Sequence, residues 1–298
     1  MTQTIRPVRK AVLPVAGFGT RVLPATKTIP KEMLPVVDRP ALHYVVSEAL
    51  EAGIEHIIFV TGRNKGAIED YFDSAYELED QLAKRGKDDI LGKVLTTITE
   101  PGSMSFVRQQ AAKGLGHAIW CARDVVGDEP FAILLPDVLV KAERGCLAQM
   151  MDAYNEVGGN IIAVDAIPEE RVSSYGVIAP VEGAETDGSL IQMSGMVEKP
   201  PVGEAPSNLK ITGRYILQPD VMGILKHQAA GAGGEIQLTD AMATLMEVQT
   251  FHAFEYEGRD YDCGSKLGYF EAVAAYAADH PEIGGPARAI MKEMSGAG

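Results

Sequence analysis

The chain has 298 residues, 46% of them hydrophobic, and a formal net charge of −14; this is the make-up of a globular protein with a full core. No stretch approaches the roughly 20 apolar residues of a membrane-spanning helix, and so acidic a chain is not expected to grip a nucleic-acid backbone. Three scattered cysteines without a Cys-x-x-Cys pair argue against a disulfide framework or a zinc site, and residues 1–10 lack a secretory signal, so a cytoplasmic location is expected.

Residues 10–16 read as a first strand, apolar enough to be covered on both faces, with Pro14 expected to interrupt its ladder. Residues 17–35 are punctuated by Pro24, Pro30 and Pro35 and should form an extended loop over the sheet. Asp38 is placed to cap a helix that has Pro40 in its first turn. A strand over 56–61, a helix over 65–72, a charged surface excursion over 76–93 and a strand over 103–109 follow. Next come a helix over 116–126, a buried strand over 131–135 ending at Pro136-Asp137, a helix over 146–157 and a strand over 160–167. Short β-rich pieces are expected at 176–180, 190–198 and 209–217. Helices at 220–227 and 239–248, a strand at 250–257 and a helix at 265–278 complete the pattern. Alternating strands and helices predict an α/β fold with a doubly wound, mostly parallel, Rossmann-like sheet and an additional β-rich region. No linker divides the chain, so a single domain is expected, with a nucleotide-side half over 1–167 and a second half over 168–298.

The densest chemical signal is Ala16-Gly-Phe-Gly-Thr-Arg21, followed by Lys27 and Pro30-Lys-Glu-Met-Leu-Pro35. A glycine-rich turn after the first strand lets backbone N–H groups approach a phosphate chain. Residues 1–31 hold six basic residues and no acidic one, while the other 21 of 27 basic residues face all 41 acidic ones. This end therefore suits an anionic small ligand. A Walker loop would need Gly-Lys-Ser/Thr entering a helix, and Lys27 follows Thr26 among prolines. A dinucleotide fingerprint would need a third glycine and an immediate helix, where Val22 and Pro24 stand. What remains is a glycine turn carrying Arg21 and Lys31 on a loop pinned by prolines, suited to a triphosphate whose β and γ groups leave together.

Further along the chain come Gly114-Leu-Gly-His-Ala118, Leu135-Pro-Asp137, Tyr175-Gly176, Val197-Glu-Lys-Pro200, Gly213-Arg-Tyr215, Gly234-Glu-Ile-Gln-Leu-Thr-Asp240 and Tyr261-Asp-Cys-Gly264. With these segments in this order, the sequence resembles the sugar-nucleotide pyrophosphorylases over nearly its whole length. The likeness is closest to the bacterial UTP–glucose-1-phosphate uridylyltransferases. The resemblance implies that Ala16, Gly17 and Glu32 contact the nucleoside, with Gly19 and Thr20 also on the nucleotide. It implies that Arg21 and Lys31 act on the triphosphate, and that Gln109 and Gly114 read the base. An amide both donates and accepts, which matches the carbonyl and N–H edge of uracil. His117 reads as a helix-terminus residue rather than an acid or base.

Asp137 follows an apolar strand, and a carboxylate at a strand's carboxyl end lies over the ligand crevice of such sheets. The resemblance makes it a ligand of Mg²⁺, which favours one or two carboxylates with phosphate oxygens and water. Asp262 is its implied partner, with capping of the next helix as the open alternative. Tyr175, Gly176, Glu198 and Lys199 are implied on the sugar side, with Lys199 on the sugar's phosphate and Glu198 on its hydroxyls. Thr239 is expected to cap a helix, Glu235 and Asp240 to lie near the sugar, and Cys263 to be a small core residue.

The reaction implied is Mg²⁺-dependent transfer of a uridylyl group from UTP to glucose 1-phosphate, by direct in-line attack without a covalent enzyme intermediate. A homo-oligomer is implied as well. The alternatives are a sister enzyme with another nucleotide or sugar, a silent nucleotide-sugar sensor, and a nicotinamide-dependent oxidoreductase. Retention of Arg21, Lys31, Asp137 and Lys199 together disfavours the sensor, and the broken fingerprint disfavours the oxidoreductase.

Overall fold

A computed structural model describes residues 5–181, 183 and 189–296; residues 1–4 of the opening segment lie outside them. The first strand, β1 (Lys10–Pro14), is shorter than expected, because Pro14 ends it. Its ladder to one neighbour stops at Val12 and to the other at Pro14, as suits a residue without an N–H. The expected loop over 17–35 contains three 3-10 turns, Thr20–Val22, Ala25–Lys27 and Lys31–Met33. Prolines that forbid a long helix leave room for these short ones. A small ribbon, β2 (Pro35–Val36) with β3 (Arg39–Pro40), leads into α1 (Ala41–Glu51). Asp38 does not cap that helix. It lies in the ribbon's turn 3.2 Å from His280, and Pro40 occupies the cap position.

β4 (His56–Thr61), α2 (Gly66–Phe72), α3 (Tyr76–Lys84), α4 (Asp88–Leu95) and β5 (Met104–Arg108) follow. Neither α3 nor α4 buries a residue, in keeping with a surface excursion. The helix expected over 116–126 is split at Ala122 into α5 (Leu115–Cys121) and α6 (Arg123–Val126). Next come β6 (Phe131–Leu134), β7 (Val138–Lys141), α7 (Cys146–Val157) and β8 (Asn160–Ala166). The second half contributes β9 (Gly176–Pro180), β10 (Leu190–Glu198), β11 (Leu209–Leu217), α8 (Val221–His227) and α9 (Leu238–Met246). It ends with β12 (Phe251–Glu255), β13 (Arg259–Asp262), α10 (Lys266–Asp279) and α11 (Gly284–Gly296). β7, β13 and α11 are not among the elements expected. No described helix is long and apolar enough to cross a membrane.

Nine strands from both halves share one sheet in the order β5-β4-β1-β6-β11-β8-β12-β10-β9. The expectation of mostly parallel pairing is corrected. β5, β4, β1 and β6 are parallel, as are β8 and β12, but β11 and β10 run against both of their neighbours. The sheet is therefore mixed. Among the described residues no α-helix stands between β9, β10 and β11, whereas parallel neighbours need a long crossover.

Alternate strand residues divide between two cores. Ala11 and Leu13 of β1 pack with α1, α7 and α10 on one face, while Val12 packs with α5, α8 and α9 on the other. β4, β6 and β8 divide in the same way, so helices cover both faces and a one-residue slip would exchange the two sets. Outside the sheet, β13 pairs antiparallel with β7, with Asp262 opposite Val138. Cys263 N donates to Asp137 O at 2.8 Å. This ribbon carries the far end of the chain to the tip of β6.

Candidate active site

The first turn after β1 and the turn after β6 meet above the sheet. Lys31 arrives from the third 3-10 turn, its stem passing within 3.8 Å of where a side chain on Gly17 would begin. Its Nζ lies 2.5 Å from Asp137 Oδ2, and both side chains are largely buried. Arg21 is more exposed and bridges two carboxylates, with Nη2 3.5 Å from Asp137 and Nη1 3.4 Å from Asp262. Burial alone would raise the Asp137 carboxyl, but the charge and hydrogen bond of Lys31, with Arg21 behind them, hold it below its usual range. Burial would likewise lower Lys31, and Asp137 and then Glu32 outweigh it, so its ammonium is raised.

Asp262 ends β13, and its two roles separate in the structure. Ser265 caps α10, its Oγ accepting from Gly268 N at 3.1 Å, so Asp262 is not the cap. The Asp262 carboxylate instead accepts from Gly264 N at 2.9 Å and faces Arg21. A methyl group on Gly264 would stand 2.8 Å from an oxygen of Asp137 and 2.8 Å from an oxygen of Asp262, and would collide with Arg21. Only glycine leaves room there for the Arg21 guanidinium to reach between the two carboxylates. Two carboxylates around one small space fit the donor preference of Mg²⁺, with substrate oxygens to complete the shell. Among the described residues no cluster of three or more His, Cys, Asp or Glu could cage a metal alone. The Cys263 thiol beside them is buried and pushed up to about 12 by burial, Asp137 and Asp262, which suits a core residue and not a nucleophile.

On one side of this centre, Gln109 and Gly114 lie together. Gln109 Nε2 donates to Gly114 O at 3.2 Å and to His117 Nδ1 at 3.0 Å. Both amide hydrogens are thereby engaged within the protein, so Oε1, an acceptor, is the remaining polar atom. The sequence reading expects this amide both to donate and to accept toward the base; in this arrangement Nε2 is turned to Gly114 and His117. Gly114 has φ 101°, and a Cβ there would come 2.7 Å from Ile236 O, so the strap it forms requires glycine. His117 sits in the first turn of α5, its imidazole lowered by burial and by Lys113, and it serves as an acceptor. Ala16 is half-buried, and Gly17 and Thr20 are exposed along the same edge.

Glu32 is placed differently from its expected contact with the nucleoside. Its side chain is wholly buried and pairs with buried Lys65 at 2.8 Å. Burial raises its carboxyl, with Lys65 and Lys31 opposing. It supports the loop from beneath, joining it to the segment after β4. Lys65 had no role in the sequence reading, where nothing distinguished it from a surface lysine.

On the other side, the β10 end brings the four sugar-side residues together. Glu198 Oε2 lies 3.1 Å from the position of a methyl on Gly176, and Glu198 Oε1 lies 3.2 Å from Lys199 Nζ. Lys199 N donates to Tyr175 O at 3.0 Å, and Lys199 has the left-handed φ of 49°. Thr239 is inside α9, not its cap. Its Oγ1 donates to Glu198 Oε2 at 2.8 Å and fixes that carboxylate. Glu235, expected near the sugar side, lies against Gly114 on the base side, and Asp240 lies against Gly231. The Tyr215 phenol is buried and is raised by burial, then by Glu198, with Arg214 opposing and Asp137 adding to the rise. A cavity of about 420 Å³ runs from Tyr175 to Asp262, with buried Lys210 and half-buried Asp260 in its wall. A larger cavity of about 600 Å³, around Arg144 and Glu257, contains none of the expected residues.

The sequence profile of the nucleotidyl transferase family matches residues 10–279. The UTP–glucose-1-phosphate uridylyltransferase of Bacillus subtilis (strain 168) is 49% identical over 279 residues, covering 94% of each chain. A UTP-bound UGPase from Acinetobacter baumannii superposes with a TM-score of 0.89 at 48% identity, covering 96% of this chain and 99% of that one. A UDP-glucose pyrophosphorylase complexed with UDP-glucose superposes with a TM-score of 0.82 at 43% identity, covering 91% and 98%.

Proposed function

The chain belongs to the nucleotidyl transferase family, among its UTP–glucose-1-phosphate uridylyltransferases, and we propose that it joins UTP to glucose 1-phosphate, giving UDP-glucose and pyrophosphate. The observation that carries this reading is the meeting of Lys31 and Arg21 with Asp137 and Asp262 over the strand ends. An oxygen of the sugar phosphate forms a bond to the α-phosphorus of UTP. The bond from that phosphorus to the oxygen bridging to the β-phosphate breaks in line, and pyrophosphate leaves.

Lys31 and Arg21 steady the charge of the departing pyrophosphate. Lys199 holds the attacking phosphate near the α-phosphorus despite their repulsion, and Glu198 seats the sugar hydroxyls beside Tyr175 and Gly176. Ala16, Gly17, Gly19 and Thr20 line the nucleotide, and Gln109 Oε1 with the Gly114 strap faces the base. Glu32 acts through Lys65 as a support of the loop. Asp137 and Asp262 are the residues that would hold Mg²⁺, whose bound charge neutralises phosphate oxygens. A cytoplasmic homo-oligomer, each chain a single domain, completes the proposal.

Pyrophosphate release measured over a panel of nucleoside triphosphates and sugar 1-phosphates tests it. UTP with glucose 1-phosphate should exceed every other pair in kcat/KM. Higher turnover with dTTP would remove the uridylyl assignment, and no release with any pair would remove transfer altogether.

A further inference from the structure

The turn that carries Asp137 is held by a side chain buried beneath it. Arg214 of β11 is fully buried. A guanidinium has five N–H donors, and here five acceptors meet them. Nε and Nη2 grip the two Glu48 oxygens at 2.9 and 2.8 Å. Nη2 also donates to Val138 O at 2.7 Å, while Nη1 donates to Leu135 O at 3.2 Å and Gly213 O at 3.3 Å.

These acceptors bracket one residue. Leu135 and Val138 flank Asp137, whose own carbonyl accepts from Cys263 N at 2.8 Å, and Leu135 N donates to Gly213 O at 2.9 Å. The main chain on both sides of Asp137 is thereby tied to β11 and to the β13 end. Glu48, on α1, is anchored in turn, since its Oε1 accepts from Leu147 N at 3.1 Å. Such a buried ion pair is a poor device for stability, because well-packed apolar residues of the same volume often serve as well or better. Two directional bonds to the carbonyls on either side of Asp137, held in place by the fork on Glu48, serve geometry.

We infer that Arg214 is a positioning residue that fixes the 135–138 turn so that Asp137 presents its carboxylate to Lys31 and to a divalent cation, an assignment that rests on Asp137 being the cation ligand proposed above. Arg214→Lys keeps a positive charge opposite Glu48. Its three donors radiate from one atom, and they do not reproduce a planar fork that serves a carboxylate and two flanking carbonyls at once.

The probe is Mn²⁺, its affinity for the enzyme with UTP and no sugar phosphate measured by electron paramagnetic resonance. Arg214→Lys should weaken Mn²⁺ binding about tenfold, the scale of losing an outer support of a metal ligand. Metal-free UTP affinity by calorimetry, and the KM for glucose 1-phosphate, should stay unchanged. In the Asp137→Asn background, Arg214→Lys should add no further loss of Mn²⁺ affinity. Unchanged Mn²⁺ affinity in folded Arg214→Lys overturns the inference. Should that variant fail to fold, Glu48→Gln, which keeps shape and loosens the anchor, decides by the same measurement: weaker Mn²⁺ binding upholds it and unchanged binding overturns it. If Asp137→Asn alone leaves Mn²⁺ affinity intact, Asp137 is not the ligand, and that failure is distinct from a rigid Asp137 that does not need Arg214.

Discussion

Lys31 Nζ stands 2.5 Å from Asp137 Oδ2, joining two positions 106 residues apart. The lysine comes from the glycine-rich loop and the aspartate from the tip of β6, so one contact closes the loop over the strand ends. Together with Arg21 and Asp262 it makes a site in which two cations face two carboxylates. An arriving triphosphate competes for those cations and leaves the carboxylates in want of a new counter-charge. That exchange is the physical reason to expect a divalent cation to enter with the nucleotide.

Asp137→Asn should lower kcat at least about a hundredfold, the scale of removing a charge-stabilising group from a transition state. It should also lower the melting temperature, because Lys31 loses a charged hydrogen bond of about 1.5–3 kcal/mol. The folded carboxyl sits below its usual value of about 3.9. Its stabilisation is therefore present above that value and is lost as pH falls through the lower folded one. Calorimetry should show the gap between wild type and variant open near neutrality and closing as pH falls below the usual carboxyl value. A gap that widened in acid would have the wrong sign.

Lys199 offers a way to separate charge from strain. Its left-handed backbone costs a non-glycine residue about 1–2 kcal/mol. Lys199→Gly removes the ammonium and relaxes the backbone, and Lys199→Ala removes only the ammonium. Both should raise the KM for glucose 1-phosphate at least about tenfold, from a lost contact of 1.5–3 kcal/mol, with UTP affinity unchanged. The glycine variant should melt no lower than wild type. Weakened UTP binding in both would move Lys199 to the triphosphate.

Much of this site was legible because its signals are local. The first strand, expected over 10–16 and found over 10–14, the proline-punctuated loop and the aspartate after an apolar strand all announce themselves within a few residues. What escaped was long-range. The β7–β13 ribbon that delivers Asp262 is two four-residue strands, too short to carry a period. Glu32 and Lys65 look like surface charges until folding buries them together. Arg214 sits in a largely apolar strand, and Glu48, 166 positions away, supplies the counter-charge that makes a buried guanidinium tolerable. The reversed strands β10 and β11 were hidden for the same reason, since strand direction is set by connections and not by pattern.

Gln109 should decide between uracil and cytosine. Its remaining atom is an acceptor, which meets the N3–H of uracil and opposes the N3 lone pair of cytosine. In Gln109→Ala the ratio of kcat/KM for UTP over CTP should fall by about tenfold or more, the worth of roughly 1.4 kcal/mol of discrimination. An unchanged ratio with a lower melting temperature would confine Gln109 to holding the Gly114 strap and His117.

Asp262 and Ser265 are three residues apart and should fail in opposite ways. Ser265 Oγ caps α10, and removing a serine cap costs about 1 kcal/mol. Ser265→Ala should therefore lower the melting temperature by a few degrees and leave the Mg²⁺ concentration for half-maximal rate where it was. Asp262 bonds Gly264 N through Oδ1, and asparagine retains a carbonyl oxygen for that bond, so Asp262→Asn should melt close to wild type. It removes the charge that faces Arg21 across the space over Gly264. Half-maximal Mg²⁺ should then rise several-fold, less than for Asp137→Asn, because Asp262 is the more exposed of the two and its charge is better screened. The two variants, titrated with Mg²⁺ side by side and melted without ligand, form a crossed comparison. A rise in half-maximal Mg²⁺ for Ser265→Ala, or an unmoved value for Asp262→Asn, would take Asp262 out of the metal set and leave Asp137 to act with substrate oxygens alone.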